Sequence, residues 1–275
     1  AGNVYQSTHT MDIEKLGGLC KSMPHTSVLF LIAALAICGL PPFNGFVSEF
    51  LIYNGMFTGL KVSDQALILP IVFGIFGLAL IGGLAMLCFT KAFGSIFSGT
   101  LRHNFQHAPG EADFGKLIPM YAVFILITAI GLFPKIFITA LSEPIKLFTH
   151  YPDDYIPADG LSITATMSMI GLCSGAFLGL TGLIFFLRKR IMSNKPQTVN
   201  VTWGCGYVAP TGKMQYTASS FVRAYRKLAE PVFSIHKKKK EIRGVFPKSG
   251  GQETHPYDKL EGWFIDYPLQ QLRKF

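Results

Sequence analysis

The sequence predicts an all-α fold: a polytopic bundle of transmembrane helices, one of them discontinuous, followed by a cytoplasmic amphipathic helical tail. Three observations carry this. Hydrophobic residues make up 49% of the 275 positions. They gather in blocks near or above the roughly 20 residues that cross a bilayer. And the blocks lack the polar residues at every third or fourth position that a soluble amphipathic helix shows, as in LILPIVFGIFGLALIGGLAMLCF from Leu67 to Phe89.

Residues 1–25 are expected to form an entry segment on the cytoplasmic side. The opening AGNVYQSTHT has no initiator methionine, signal peptide or charged n-region, and reads as the exit from a helix whose body lies upstream. The chain is therefore expected to be the C-terminal portion of something longer. Residues 26–187 are expected to hold four crossings, at 26–57, 66–97, 117–133 and 163–187.

The first crossing is interrupted by GLPPFNGFVSEF, Gly39 to Phe50. Pro41 and Pro42 remove two backbone donors and disfavour helix before them, Gly45 permits an unusual turn, and Asn44 can cap a half-helix starting near Phe46. Unpaired backbone groups cost several kcal/mol each in hydrocarbon, so such a break has to be enclosed. Glu49 follows about one turn later. An acid at the centre of a span costs roughly 2.5–3.5 kcal/mol, and residues of this kind usually face a polar cavity or a partner and mark an ion path. A broken helix beside a titratable group is a recurring arrangement in ion-translocating proteins. The alternative is a loop between two re-entrant or interfacial segments, with Glu49 facing solvent. Ser48 and Asn44 are candidate hydrogen-bond neighbours or water ligands for Glu49, or else partners for freed backbone groups. His25, at the cytoplasmic end of this crossing, can feed protons inward or simply be solvated, and His9 is read the same way.

In the second crossing Lys91 lies near the cytoplasmic end, where it either snorkels to lipid headgroups or sits close to the charge of the broken helix. In the fourth, Gly171, Gly175 and Gly179 form one smooth face for close helix packing. The tail, 188–275, opens with Arg188, Lys189 and Arg190 at the hydrophobic edge, which places it in the cytoplasm. Counting back puts the 97–116 loop inside and the acidic 134–162 connection outside. The net charge of +9 is then a matter of orientation, and no nucleic-acid partner is expected because the basic residues lack aromatic interleaving. Phe221, Tyr225, Leu228, Val232 and Ile235 recur at helical spacing, so a surface helix is expected there, with Lys237, Lys238, Lys239 and Lys240 against anionic lipid or a partner. A second surface helix, ended or kinked at Pro268, is expected within 257–275.

The cysteines Cys20, Cys38, Cys88, Cys173 and Cys205 have no metal-ligand spacing and are read as packing residues. No dinucleotide fold, P-loop or iron–sulfur cluster motif occurs, so neither cofactor nor metal is expected.

The run DIEKLGGLCKSMPHTSVLFLIAALAICGLPPFNGFVSEFLIY resembles the antiporter-like subunits shared by respiratory complex I, multisubunit cation/proton antiporters and membrane-bound hydrogenases. KLGGL, MP with a hydroxyl residue, a span, and PPF-x-GF-x-S before a charged residue follow in that family's order. The resemblance implies a discontinuous helix at the break and a proton path through Glu49, with Lys91 as the basic residue of the next helix. WGCGY…KMQYTASSF, Trp203 to Phe221, is similar to the tail of the hydrogenase-4 and formate hydrogenlyase type. The family's first broken helix, glutamate–lysine pair and histidine- and lysine-bearing helix have no counterpart in this sequence. The chain is then expected to be a fragment, or a neighbouring chain supplies that half.

The expectation is a multi-pass protein of the cell inner (cytoplasmic) membrane, a non-redox ion-translocating subunit of a hydrogenase or NADH:quinone oxidoreductase type complex, partnered by its other membrane subunits. The alternatives are a structural membrane subunit without transport, and a subunit of a multisubunit cation/proton antiporter.

Overall fold

A computed structural model describes residues 1–62, 65–105, 107–149, 158–193, 195–196, 212–223, 233–239, 252–258 and 262–272. The chain divides into two compact units, Ala1–Ala218 and Ser219–Phe275.

The first unit is all-helical among its described residues. After the short α1 (Gly2–Thr8) come α2 (Pro24–Ile37) and α3 (Asn44–Val62), separated by six residues. Then follow α4 (Gln65–Ile96), α5 (Phe114–Leu132), the short α6 (Pro134–Ala140) and α7 (Ser142–Thr149), and α8 (Ala158–Met192). Among the described residues, three stretches are long and apolar enough to cross a membrane: α4, α5 and Ala165–Met192 of α8. Few or none of the residues in these stretches are fully buried, so much of their apolar surface faces outward, as in lipid-facing helices. The fourth expected crossing, 26–57, is resolved into α2 and α3.

α2 and α3 lie one after the other along α4, antiparallel to it. The Phe30 ring of α2 lies 5.3 Å from that of Phe97, just past the end of α4, and 6.4 and 6.5 Å from Phe89 and Phe93. At the other end of α4, Gly74 lies against Met56 of α3, and Ile71 against Gly59. α5 packs on both α2 and α3, and α8 on α5 and α6.

The buried cluster sits where α4 ends: Val4, Leu16, Leu19, Met23 and Phe97. The backbone closes it. Gly18, Leu19 and Cys20 donate to Ser98, Ile96 and Phe97, so the entry segment is laced to the end of α4. Of the glycine face expected on α8, Gly171 meets the Leu132 carbonyl and the Pro134 ring, whereas Gly175 and Gly179 have nothing within 4 Å.

The second unit differs from the expected helical tail. α9 (Ala218–Val222) is short, and β1 (Phe233–Lys239) pairs antiparallel with β2 (Gln252–Asp258), Phe233 opposite Asp258 and Lys239 opposite Gln252. Ile235 and Lys237, Lys238 and Lys239 thus lie in a strand, while Tyr225, Leu228, Val232 and Lys240 lie outside the described residues. The physical reason is local: Phe233 and Ile235 alternate with Ser234 and His236, a period of two, and the backbone finds its partners in β2. A π-helical turn, Gly262–Asp266, leads into α10 (Tyr267–Leu272). Pro268 therefore stands inside a continuous helical stretch, 262–272, where the winding changes from π to α, and does not end it. Trp203 to Tyr207, with Cys205, lies outside the described residues.

Candidate functional site

The N–H groups of the break between α2 and α3 are satisfied locally. Pro41 and Pro42, joined by a cis peptide bond, have no donor to satisfy. Every other N–H there finds a carbonyl: Cys38 donates to Ala34, Gly39 to Ala36, Leu40 to Leu35 and Phe43 to Leu40. Three glycines allow the close approaches that this compaction needs. Gly39 turns with φ +65°, a conformation L side chains rarely adopt. A β-carbon on Gly45 would fall on the Ala36 carbonyl oxygen, and one on Gly131 of α5 would fall on that of Pro42.

Glu49 rests on this turn. Its carboxyl group packs on the α-carbon of Gly39, with Cδ 2.7 Å from where a β-carbon would stand. Glu49 is half-buried, and among the described residues no ion pair reaches it. It lies within electrostatic reach of Cys38, which in turn interacts with Cys88 of α4. Ser48 donates to the Gly45 carbonyl at 2.9 Å, so its hydroxyl serves the backbone. Asn44 is the first residue of α3, two positions earlier than the expected start near Phe46.

Lys91, half-buried on α4, is three residues beyond Cys88, about 4.5 Å along the helix axis. It sits at the level of α2, and Glu49 and Lys91 form no ion pair among the described residues. On its exposed side the break opens on an apolar cavity of about 780 Å³ between Leu40, Pro41, Pro42 and Phe43 and the α8 residues Cys173 and Ser174.

His25 begins a second constellation, where α2 starts. Its Nδ1 lies 2.6 Å from the Tyr121 hydroxyl of α5. Glu111, from the loop before α5, accepts from the backbone N–H of His25 at 2.8 Å, from that of Thr26 at 3.2 Å and from the Thr26 hydroxyl at 2.5 Å. It also accepts from Ala112 N–H at 3.2 Å. Burial opposes ionisation of this carboxyl, but the hydrogen bonds from Thr26, Ala112 and His25 outweigh it and hold Glu111 below the usual carboxylate range. Sequence reasoning passed over Glu111 and Tyr121. The available signal was the acid in GEADFGK directly before an apolar span, but nothing local says that its partner stands 85 residues upstream.

Arg102 was also passed over. It donates to the carbonyls of Leu16 at 2.6 Å, Ser95 at 3.1 Å and Tyr216 at 2.5 Å. Burial lowers this guanidinium from its usual value, and Glu14 works the other way. Beside it, the Gln215 side chain both accepts from Thr100 N–H and donates to Thr100 C=O. Part of the KMQYTASSF stretch is thereby held on the loop after α4.

Residues 1–77 match the family model described as NADH:quinone oxidoreductase/Mrp antiporter, TM. Among curated proteins, the chain is 32% identical to Hydrogenase-4 component B of Escherichia coli (strain K12) over 77% of its length and 33% of the relative's. It is 29% identical to Formate hydrogenlyase subunit 3 of the same strain over 86% of its length and 37% of the relative's. To a Na(+)/H(+) antiporter subunit of Alkalihalophilus pseudofirmus (strain ATCC BAA-2126 / JCM 17055 / OF4) it is 32% identical, over 52% of its length and 18% of the relative's. The chain thus spans about a third of the two hydrogenase relatives.

Proposed function

We infer that this chain is a member of the antiporter-like family of membrane subunits found in complex I, Mrp-type antiporters and membrane-bound hydrogenases, and that it passes protons through Glu49. It acts as part of the membrane arm of a redox complex of the hydrogenase-4 or formate hydrogenlyase type. α2 and α3 are the two halves of one interrupted crossing. They follow one another along α4, and together they occupy the place of a single antiparallel helix.

The observation that carries the reading is the seating of the Glu49 carboxyl on Gly39 at the break. A carboxylate half-removed from water, next to backbone N–H groups already satisfied locally, has no structural bond to maintain. It is free to exchange a proton with water or with a neighbouring group. Lys91 lies further along the same edge of α4, and His25 with Tyr121 stands where α2 begins. Together they mark a line from the mouth of α2 to the break. Electrons are handled by partner subunits, and neighbouring membrane chains complete the polar axis. The chain is oriented with residues 98–113 and 193 onward in the cytoplasm, following Arg188, Lys189 and Arg190. The hydrogenase type is favoured over a redox-free antiporter because the match to hydrogenase relatives extends over more of the chain.

The test replaces Glu49 with Gln in the assembled complex and follows proton uptake into vesicles during turnover. Uptake is expected to be abolished or uncoupled from the redox reaction. Unchanged uptake in a normally assembled complex sinks the reading and leaves a structural role, which is the case if removing residues 203–275 dissociates the complex while Glu49→Gln is silent.

A further inference from the structure

The proton-transfer reading leaves unused the best-bonded carboxylate among the described residues. α2 brings no cap of its own: Met23 makes no side-chain cap bond, the first turn has no acid, and Pro24 opens the helix. Its free N–H groups are met by Glu111 from 85 residues away, with the Thr26 hydroxyl adding a third bond. Glu111 stands on a fixed base. The adjacent Gly110 exchanges hydrogen bonds with Ser7 of α1, and Lys116 at the start of α5 reaches Gln6. The titratable groups around Glu111 are His25 from α2 and Tyr121 from α5, while Asp113 and Lys116 pair with each other at 3.6 Å.

α2 has 14 residues, so it is about 21 Å long. A helix of that length moves as a unit. Its far end is Ala36 to Gly39, where Gly45 closes on the Ala36 carbonyl and Glu49 rests on Gly39. Just beyond, Pro42 abuts Gly131 of α5. The α5 region therefore grips the chain on either side of α2: Glu111, from the loop before α5, and Tyr121 of α5 hold the start of α2, and Gly131 meets the turn that follows it. The seat of Glu49 lies at the second grip.

We propose that Glu111 is a positioning residue for Glu49: by fixing the start of α2 to the base of α5, it sets where Gly39 stands and so what surrounds the Glu49 carboxyl. The proposal builds on the proton-transfer reading of Glu49, but it concerns the environment of that carboxyl and is measured there.

The experiment is difference infrared spectroscopy on the assembled complex in membranes, with the Glu49 carboxyl band assigned as the one lost in Glu49→Gln. Glu111→Gln turns one acceptor into an N–H facing donors. It is expected to change the frequency of the Glu49 band, displace its titration midpoint and cut proton uptake by about tenfold, the effect of roughly 1.4 kcal/mol. Thr26→Val, which removes only the hydroxyl donor and keeps the volume, is expected to move the band in the same direction by less. Asp113→Asn, beside Glu111 but bonded elsewhere, is expected to leave it in place. An unchanged band and midpoint in Glu111→Gln overturns the proposal, as does an equal shift in Asp113→Asn. If Glu111→Gln does not assemble, an unchanged band in Thr26→Val overturns it. Should Glu49→Gln prove silent in uptake while Glu111→Gln still moves the band, the positioning role stands and the proton-transfer reading falls.

Discussion

Gly39, Gly45 and Gly131 each do something that alanine cannot, and each does it against backbone or against the Glu49 carboxyl. At Gly45 and Gly131 the obstructing atoms are main-chain carbonyls, which have no rotamer to escape into. Gly45→Ala and Gly131→Ala are each expected to destabilise the membrane unit by about 1–3 kcal/mol, the usual range for overpacking. Gly39→Ala adds a left-handed backbone cost of about 1–2 kcal/mol and displaces the carboxyl as well. It is expected to lower proton uptake together with stability. Gly175→Ala, with nothing within 4 Å, is the control and is expected to be neutral in thermal unfolding of the purified protein. At this scale the sequence was legible where chemistry is local. Pro41, Pro42 and Gly45 announced the break, and Glu49 was conspicuous as an acid in an apolar run. Ser48 could be read two ways, and only its bond to Gly45 decides for the backbone. Which atom lies beneath Glu49 depends on a turn at Gly39 that brings the first turns of α3 against the end of α2, and no spacing rule encodes that.

Two loop residues decide how the helices are held. Glu111 is ionised in its site more readily than an ordinary carboxylate, because the hydrogen bonds outweigh burial. Its folded value therefore lies below its unfolded one. Its contribution to stability is fully present above the ordinary carboxylate range and disappears as pH falls through the lowered folded value. The prediction is that the acid limb of the unfolding-temperature profile is less steep in Glu111→Gln than in the parent, with the two profiles converging at the most acid pH. Arg102 gathers three carbonyls, from the entry segment, the end of α4 and Tyr216. Arg102→Lys presents one ammonium in place of a planar fork and cannot reach all three. Faster amide exchange in 95–102 and 212–218 is expected, with a loss of about 1–3 kcal/mol for carbonyls left unpaired. Neither role was visible in the sequence, since two of the three partners of Arg102 lie 86 and 114 residues away and those of Glu111 on α2 lie 86 and 85 away. Long apolar helices were legible for the opposite reason: apolar block length is a local property, and α4, α5 and the Ala165–Met192 stretch of α8 are such helices. Residues 233–239 were misread because four- and three-residue steps from Phe221 to Ile235 masked the two-residue alternation at their end.

At the scale of the molecule, the proposed proton path requires a sidedness, and alternating helices with the positive-inside bias supply the expectation for it. α4, α5 and the Ala165–Met192 stretch of α8 are the long apolar helices, and the loops between them must alternate across the membrane. The 98–113 loop carries Arg102, His103 and His107, and the last turn of α8 carries Lys189 and Arg190, so the proposed orientation puts both in the cytoplasm. α6 and α7 then lie on the opposite surface, beyond the break as seen from His25. The prediction uses single cysteines at His103, Ser142 and Ser193 in a chain whose own cysteines are replaced by serine. In right-side-out vesicles, an impermeant maleimide is expected to label Ser142→Cys at once, and His103→Cys and Ser193→Cys only after permeabilisation. Labelling of His103→Cys and Ser142→Cys from one side would mean that α5 does not cross. The α5 region holds the chain at the start of α2 and, through Gly131, on the turn after it, so that result would also put the His25 mouth and the Glu49 seat on one face of the membrane. A path between them would then connect no two compartments, and translocation through this part of the chain would be ruled out on geometry, whatever the proton affinity of Glu49.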